Sequence, residues 1–312
     1  MAASTVTLSK VTVTVPATTA NLGPGFDCIG AALTLYNRFQ FTALTDAASP
    51  LTIKATGAEA DRVGTDDRNL AYQAFLKVYQ TLDKTPPALH LAIDLQVPLA
   101  RGLGSSATAI IGGLVGANAL AGSPLSCEEV MQMAIEMEGH PDNVVPALIG
   151  GCQLAATQQN GGWTICDIDW HEGIIPIVAI PDFELSTAEA RRVLPTEYSR
   201  QDAIFNTAHL GLLVRALETG RSDWLRTALQ DKIHQPYRRS LIHGYSAVEK
   251  AVLDAGAEGL VISGAGPTLL VLTKDDRATE VESALKQAWT DAGISVQTKV
   301  LQIDHRGATI EG

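Results

Sequence analysis

The chain has 312 residues, 46% of them hydrophobic and 18% charged. That is length enough for a sizeable core, and the composition excludes collagen, coiled coil and extended disorder. A net charge of −11 argues against an unassisted nucleic-acid or anionic-membrane surface, so anionic ligands must be met by local devices.

Residues 102–127 carry no charge, yet they are dense in Gly, Ser and Ala and hold Pro124, which does not suit a membrane span. Met1 to Val6 lacks the basic region and apolar core of a secretory signal, so a cytoplasmic protein is expected. Cys28, Cys127, Cys152 and Cys166 lie far apart and suggest neither a zinc site nor a disulfide framework.

In chain order, the alternation from Val6 to Val15 predicts a strand stopped by Pro16. A Gly/Pro/Asn-rich turn over Asn21–Asp27 precedes a second strand at 31–43. A helix over 68–82 is expected, capped by Asp66 or Asp67, then a strand over 90–97. The loop 98–106 runs into a helix from Ala107 to Leu120, and further helices are predicted at 126–138 and 142–148, with Pro141 in the first turn of the latter. Residues 150–169 suggest a hairpin turning at Gln159–Gly162. Beyond a boundary near 170 come a strand at 174–180, helices at 186–192, 199–219, 222–229 and 240–255, strands at 258–263 and 268–273, a helix at 277–291 and a strand at 294–302. This mixture predicts an α+β fold with domains 1–170 and 171–312.

Gly102-Leu-Gly-Ser-Ser-Ala107 formally fits the dinucleotide fingerprint, but the next acid, Glu128, lies past a proline turn on another helix. The chain has no Gly-Lys pair, so a Walker A loop is absent. What the loop offers is backbone N–H groups at a helix start, a phosphate site that needs no basic side chain, with Ser105 and Ser106 adding hydroxyls. A glycine-rich packing turn is the competing explanation.

Three segments, Pro16–Asp27, Pro98–Ala107 and Ser263–Thr268, resemble in order the three motifs of the GHMP small-molecule kinases. Glu138-Gly-His-Pro-Asp-Asn-Val144, Ser186–Arg191 and His234-Gln-Pro-Tyr-Arg238 resemble the branch that acts on L-homoserine. The resemblance implies a ribosomal-S5-like N-terminal domain, a ferredoxin-like C-terminal domain and a cleft between them. It implies ATP-dependent phosphorylation of the homoserine side-chain hydroxyl, on the route to threonine, by a homodimer using Mg²⁺. Another GHMP kinase acting on mevalonate, shikimate or a sugar, and a nucleotide-binding regulator without activity, remain open.

By the same resemblance, Pro98, Arg101, Gly102, Leu103, Gly104, Ser105, Ser106, Ala107 and Thr108 form the ATP-phosphate loop, and Asn69 meets adenine. Ser106 and Glu136 are the magnesium ligands. Arg191 and Arg238 clamp the acceptor carboxylate, with Thr187 one helical turn from Arg191; bidentate arginine serves this better than lysine. Asn21 and Asp27 meet the ammonium group, His140 and Asn143 approach the acceptor, and Gly264 closes the site. Asn143 stands where several relatives have an aspartate base, which favours a mechanism by positioning and charge neutralisation without a general base.

Overall fold

The computed structural model describes residues 9–45, 49–57, 59–159 and 161–311. Val6 to Leu8 of the first expected strand, Asn160 of the hairpin turn and the whole Met1–Val6 segment lie outside them.

The first half comprises β1 (Lys10–Ala20), β2 (Ile29–Leu44), β3 (Leu51–Gly57), α1 (Leu70–Thr81), β4 (Ala88–Leu95), α2 (Ser105–Leu120), α3 (Cys127–Glu138), α4 (Pro141–Ile149), β5 (Cys152–Thr157) and β6 (Trp163–Ile168). The second comprises β7 (Ile175–Pro181), α5 (Thr187–Arg192), α6 (Arg200–Thr219), α7 (Ser222–Ala228), α8 (Gln235–Arg238), α9 (Tyr245–Asp254), β8 (Gly259–Ile262), β9 (Leu269–Thr273), α10 (Ala278–Asp291), β10 (Val296–Val300) and β11 (Thr309–Glu311).

A seven-stranded sheet runs β11-β1-β2-β4-β3, with β5 on the free end of β2 and β6 beside β5; only the β3–β4 pair is parallel. A four-stranded antiparallel sheet follows the order β10-β7-β9-β8. β7, β8 and β9 are apolar on both faces because both are buried, whereas the edge strand β10 (VQTKV) is partly exposed. In β7, Ile177 and Ala179 face α9 and α10, while Val178 and Ile180 join Leu22, Ile29, Leu213 and Leu225 in the layer shared with the larger sheet.

The first helical layer packs on β1, β2 and β4 through Val11, Val13, Val15, Phe39 and Phe41. Gly112 and Gly116, one helical turn apart on α2, make the room: a Cβ on either would meet the Phe39 or Phe41 ring at 2.4 Å.

Several expectations are corrected. β1 passes through Pro16 to Ala20, because the register shift between Pro16 and Ala17 falls where proline has no N–H to pair. Helix α1 is capped by Asn69, which accepts from the N–H groups of Ala71 and Tyr72, and not by Asp66 or Asp67. Helix α2 begins at Ser105, two residues before Ala107. The expected helix 240–255 is shorter, α9 starting at Tyr245 after Gly244 at φ +82°, and it is preceded by a 3-10 turn over 239–241 and the short helix α8, which was not expected. Strand β11 was not anticipated, and it carries the end of the chain back to pair with β1.

Gly116→Val forces two methyl groups into the Phe41 ring. The unfolding free energy should fall by about 2 kcal/mol, read as a lower urea midpoint at unchanged m-value.

Candidate active site

One cavity of about 780 Å³ is lined from β2, β4, α1, α2, α3, α4, α5, α8 and the connecting loops. At its floor α2 begins. Gly104 caps the helix in left-handed conformation (φ +66°) and has no side chain to accept from the first-turn N–H groups, so those donors are left for a ligand. A Cβ on Gly104 would sit 1.9 Å from the Thr18 hydroxyl, which is why the backbone can lie this deep.

Of the loop residues expected to hold phosphates, Arg101, Gly102, Gly104, Ser105 and Ser106 line the cavity. Leu103, Ala107 and Thr108 do not: each is fully buried, and the Thr108 hydroxyl donates to the Ser105 carbonyl. Pro98 lines a separate hollow behind the loop. Arg101 reaches the cavity wall, but its guanidinium donates to the carbonyls of Leu99, Pro181 and Asp182 and pairs with Glu59 and Glu184, so it braces the loop.

The acid beside Ser106 is Glu138. The Ser106 hydroxyl donates to Glu138 Oε1 at 2.8 Å, whereas Glu136 is exposed and accepts from Gln132. Two residues along a helix turn a side chain by about 200°, so only one of the two acids can face α2. Burial pushes the Glu138 carboxyl above its usual range despite the serine bond. Asn69 lines the cavity, but its side chain caps α1 and donates to the Gly64 carbonyl at 2.7 Å. The neighbouring lobe is apolar, formed by Phe39, Val63, Leu70, Ile93, Leu95 and Leu99.

At the other end, Arg191 makes a two-pronged pair with Asp27, both contacts at 2.9 Å, and Thr187 stands on the same rim. Arg238 is 2% exposed. It donates to the carbonyls of Ala190 and Gly264 and faces His234 Nδ1, and among the described residues it joins no ion pair. Burial and the nearby charge of Arg191 bring its pKa down to about 10, still charged at neutral pH. Asn21 holds the turn itself, donating to the Gly264 carbonyl and accepting from the Asp27 N–H, so its amide does not point freely at a ligand.

Between the two ends, Asn143 accepts from the Thr18 hydroxyl at 2.8 Å and donates to Asp142. His140 Nδ1 donates to Asp142 at 2.5 Å. Burial opposes charge on the His140 ring, yet the Asp142 bond and charge, with Glu138 and Asp27 nearby, leave its pKa raised. Sequence reasoning missed Thr18, Glu138, Arg62 and Arg68 among the cavity residues or their supports. Glu138 opens a quoted motif, and helix phase relative to buried Ala134 and Ile135 was the signal that separates it from Glu136.

The family model described as the GHMP kinases N terminal domain matches residues 69–151, and that of the GHMP kinases C terminal matches 213–291. The chain is 66% identical over 302 residues to the homoserine kinase of Trichormus variabilis, covering 97% of this chain and 99% of the relative. It is 63% identical to that of Trichodesmium erythraeum, covering 97% and 98%. The crystal structure of homoserine kinase from Cytophaga hutchinsonii superposes with a TM-score of 0.88 at 27% identity, covering 97% of this chain and 98% of that one. The L. major mevalonate kinase in complex with R-mevalonate shares the fold at a TM-score of 0.70 and 18% identity, covering 91% and 94%.

An NMR titration of the His140 ring should give a pKa above the ordinary 6.5. Asp142→Asn removes the partner that raises it, so the value should drop; an unmoved pKa would show that Asp142 is not the cause.

Proposed function

The chain belongs to the GHMP kinases, and from that premise we propose that it moves the γ-phosphoryl group of ATP onto the side-chain hydroxyl of L-homoserine. The products are O-phospho-L-homoserine and ADP. The observation that carries the acceptor assignment is Arg238: a buried guanidinium whose close partners are all neutral, beside the Arg191–Asp27 pair, in the cavity that also holds the α2 N-terminus.

Each end takes one substrate. The bare N–H groups of Ser105 and Ser106, with the helix dipole behind them, receive the ATP phosphates, and the apolar lobe around Phe39, Leu70 and Leu95 takes the adenine. Arg238 and Arg191 hold the α-carboxylate, while Asp27 takes the ammonium group, so a zwitterion replaces the Arg191–Asp27 pair charge for charge. Ser106 and Glu138 are the hard oxygen donors that suit Mg²⁺, an ion held by one or two protein ligands together with phosphates and water. When bound, that ion neutralises charge on the phosphates.

The acceptor hydroxyl lies toward Asn143 and Thr18. Asn143 has no basic lone pair, and Thr18 and Asp142 fix its amide, so it orients the hydroxyl. His140 keeps its proton on Nδ1 against Asp142, which engages the nearest carboxylate as an acceptor. Transfer through a loose transition state asks for alignment and charge neutralisation more than for a strong nucleophile. A homodimer is proposed on the resemblance to the family, and a cytoplasmic enzyme on the N-terminal sequence. The division near residue 170 is supported by the change of sheet between β6 and β7.

With Mg·ATP, ADP release should be confined to homoserine among homoserine, mevalonate, shikimate and galactose; preference for another alcohol would overturn the acceptor. Arg191→Ala and Arg238→Ala should each raise the homoserine KM about 10- to 100-fold with the ATP KM little changed. Glu138→Gln should lower kcat about 100-fold, the scale of losing a positioned charge at the transferring group, while Glu136→Gln stays near wild type. Equal effects at the two acids would contradict the assignment of Glu138.

A further inference from the structure

Both acceptor arginines rest on one aromatic ring. The Arg191 Cζ lies 5.6 Å and the Arg238 Cζ 5.1 Å from the centroid of Phe26, within the range of a cation–π contact. Phe26 is only half-buried and does not itself line the cavity, so neither core packing nor direct ligand contact accounts for it.

The ring is held in turn by His234, which lies on the same side as Arg238. The His234 imidazole stacks on it with centroids 5.1 Å apart and planes 24° from parallel. His234 is fully buried, and its Nε2 lies 2.8 Å from the Gly23 carbonyl, so that nitrogen carries the proton. Nδ1 is then a lone pair turned toward Arg238 Nη1 at 3.4 Å. Asp231 holds the loop by accepting from the N–H groups of Ile233, His234 and Gln235 and from Asn206.

Two guanidinium groups directed at one site repel each other. Asp27 already offsets Arg191 until a zwitterion takes its place, and a second carboxylate at Arg238 would relieve the repulsion but would also cancel the charge that has to attract an anion. A π-face attracts both cations electrostatically and leaves their formal charge intact. The imidazole of His234, stacked on the ring and next to Arg238, adds an acceptor without adding charge.

We propose that Phe26, backed by His234, is a positioning residue that sets the spacing of Arg191 and Arg238 for the substrate carboxylate. It acts through the arginines and does not touch the substrate. The inference rests on the acceptor assignment above.

Steady-state kinetics of Phe26→Leu and Phe26→Tyr test it, since a half-exposed position tolerates both. Phe26→Leu keeps an apolar side chain and removes the ring: the homoserine KM should rise about ten-fold, with kcat and the ATP KM within about two-fold of wild type. Phe26→Tyr keeps the ring and should return the homoserine KM to within about three-fold. An unchanged homoserine KM in Phe26→Leu, a parallel rise of the ATP KM, or a tyrosine variant no better than leucine would each overturn the proposal. If the wild-type protein fails to use homoserine, the acceptor assignment falls first and the role of the ring with it. Wild-type turnover with an indifferent Phe26→Leu removes the ring alone.

Discussion

The backbone of Gly102 lies directly against the backbone of the loop that follows β8, and the site depends on that contact. A Cβ at Gly102 would stand 2.2 Å from the Ser263 carbonyl oxygen and 3.0 Å from atoms of Gly266. Around it the Ser263 hydroxyl lies within hydrogen-bond reach of the Gly102 carbonyl and the Thr19 hydroxyl, the Gly264 N–H donates to Ala20, and the Thr18 N–H donates to Leu103. Three segments far apart in sequence are therefore held at van der Waals distance, with Gly102, Gly264 and Gly266 all at positive φ. The same Gly264 carbonyl receives Arg238 and Asn21. The distance from the α2 N-terminus to Arg238 is thus set by backbone, and in the proposed reaction transfer between two bound substrates is sensitive to errors of about 1 Å in that distance.

A chain of charge −11 that binds ATP needs its acids in the cavity occupied by partners. Asp27 faces Arg191, Asp142 faces His140, and Glu138 faces Ser106. Among the described residues, the first-turn N–H groups of α2 at one end and Arg238 at the other are positive groups with no carboxylate partner, whereas Glu138 has only a neutral hydroxyl. In water-poor surroundings such local fields outweigh a distant net charge, which salt screens within about 10 Å. In the proposed acceptor site, selection of a zwitterion follows from the same arrangement, because a ligand with only one charge opens the Arg191–Asp27 pair and leaves one partner without a replacement.

The sequence made the glycine loops legible, since positive φ and close approach leave few other residues possible, and the alternating and helical stretches placed most elements to within a few residues. Glu138 was not separated from Glu136 because composition cannot show which side of α3 meets α2; that depends on the packing of Ala134 and Ile135. Leu103, Ala107 and Thr108 belong to the same motif as Ser105 and Ser106, but a helix start shows only some of its residues to the ligand and turns the rest into the core. Asn69 and Asn21 were matched to ligand groups, whereas both asparagines spend their side chains on backbone, one capping α1 and the other closing a turn. Strand β11 is three residues long and forms only because β1 offers an edge, a condition no local pattern reveals.

An amide, Asn143, at the proposed acceptor position fits this geometry. Asn143 is held on one side by Thr18, whose neighbour Thr19 is bonded to Ser263, and on the other by Asp142. The amide is therefore tied to the junction that holds the 102–104 loop, and in the proposed reaction the hydroxyl it orients shares a frame with the group to be transferred. A free carboxylate at the same place would bring negative charge toward the ATP phosphates, whereas an amide orients the nucleophile without that repulsion. Where the transition state is loose, alignment contributes more than basicity, and this site is built from groups that align.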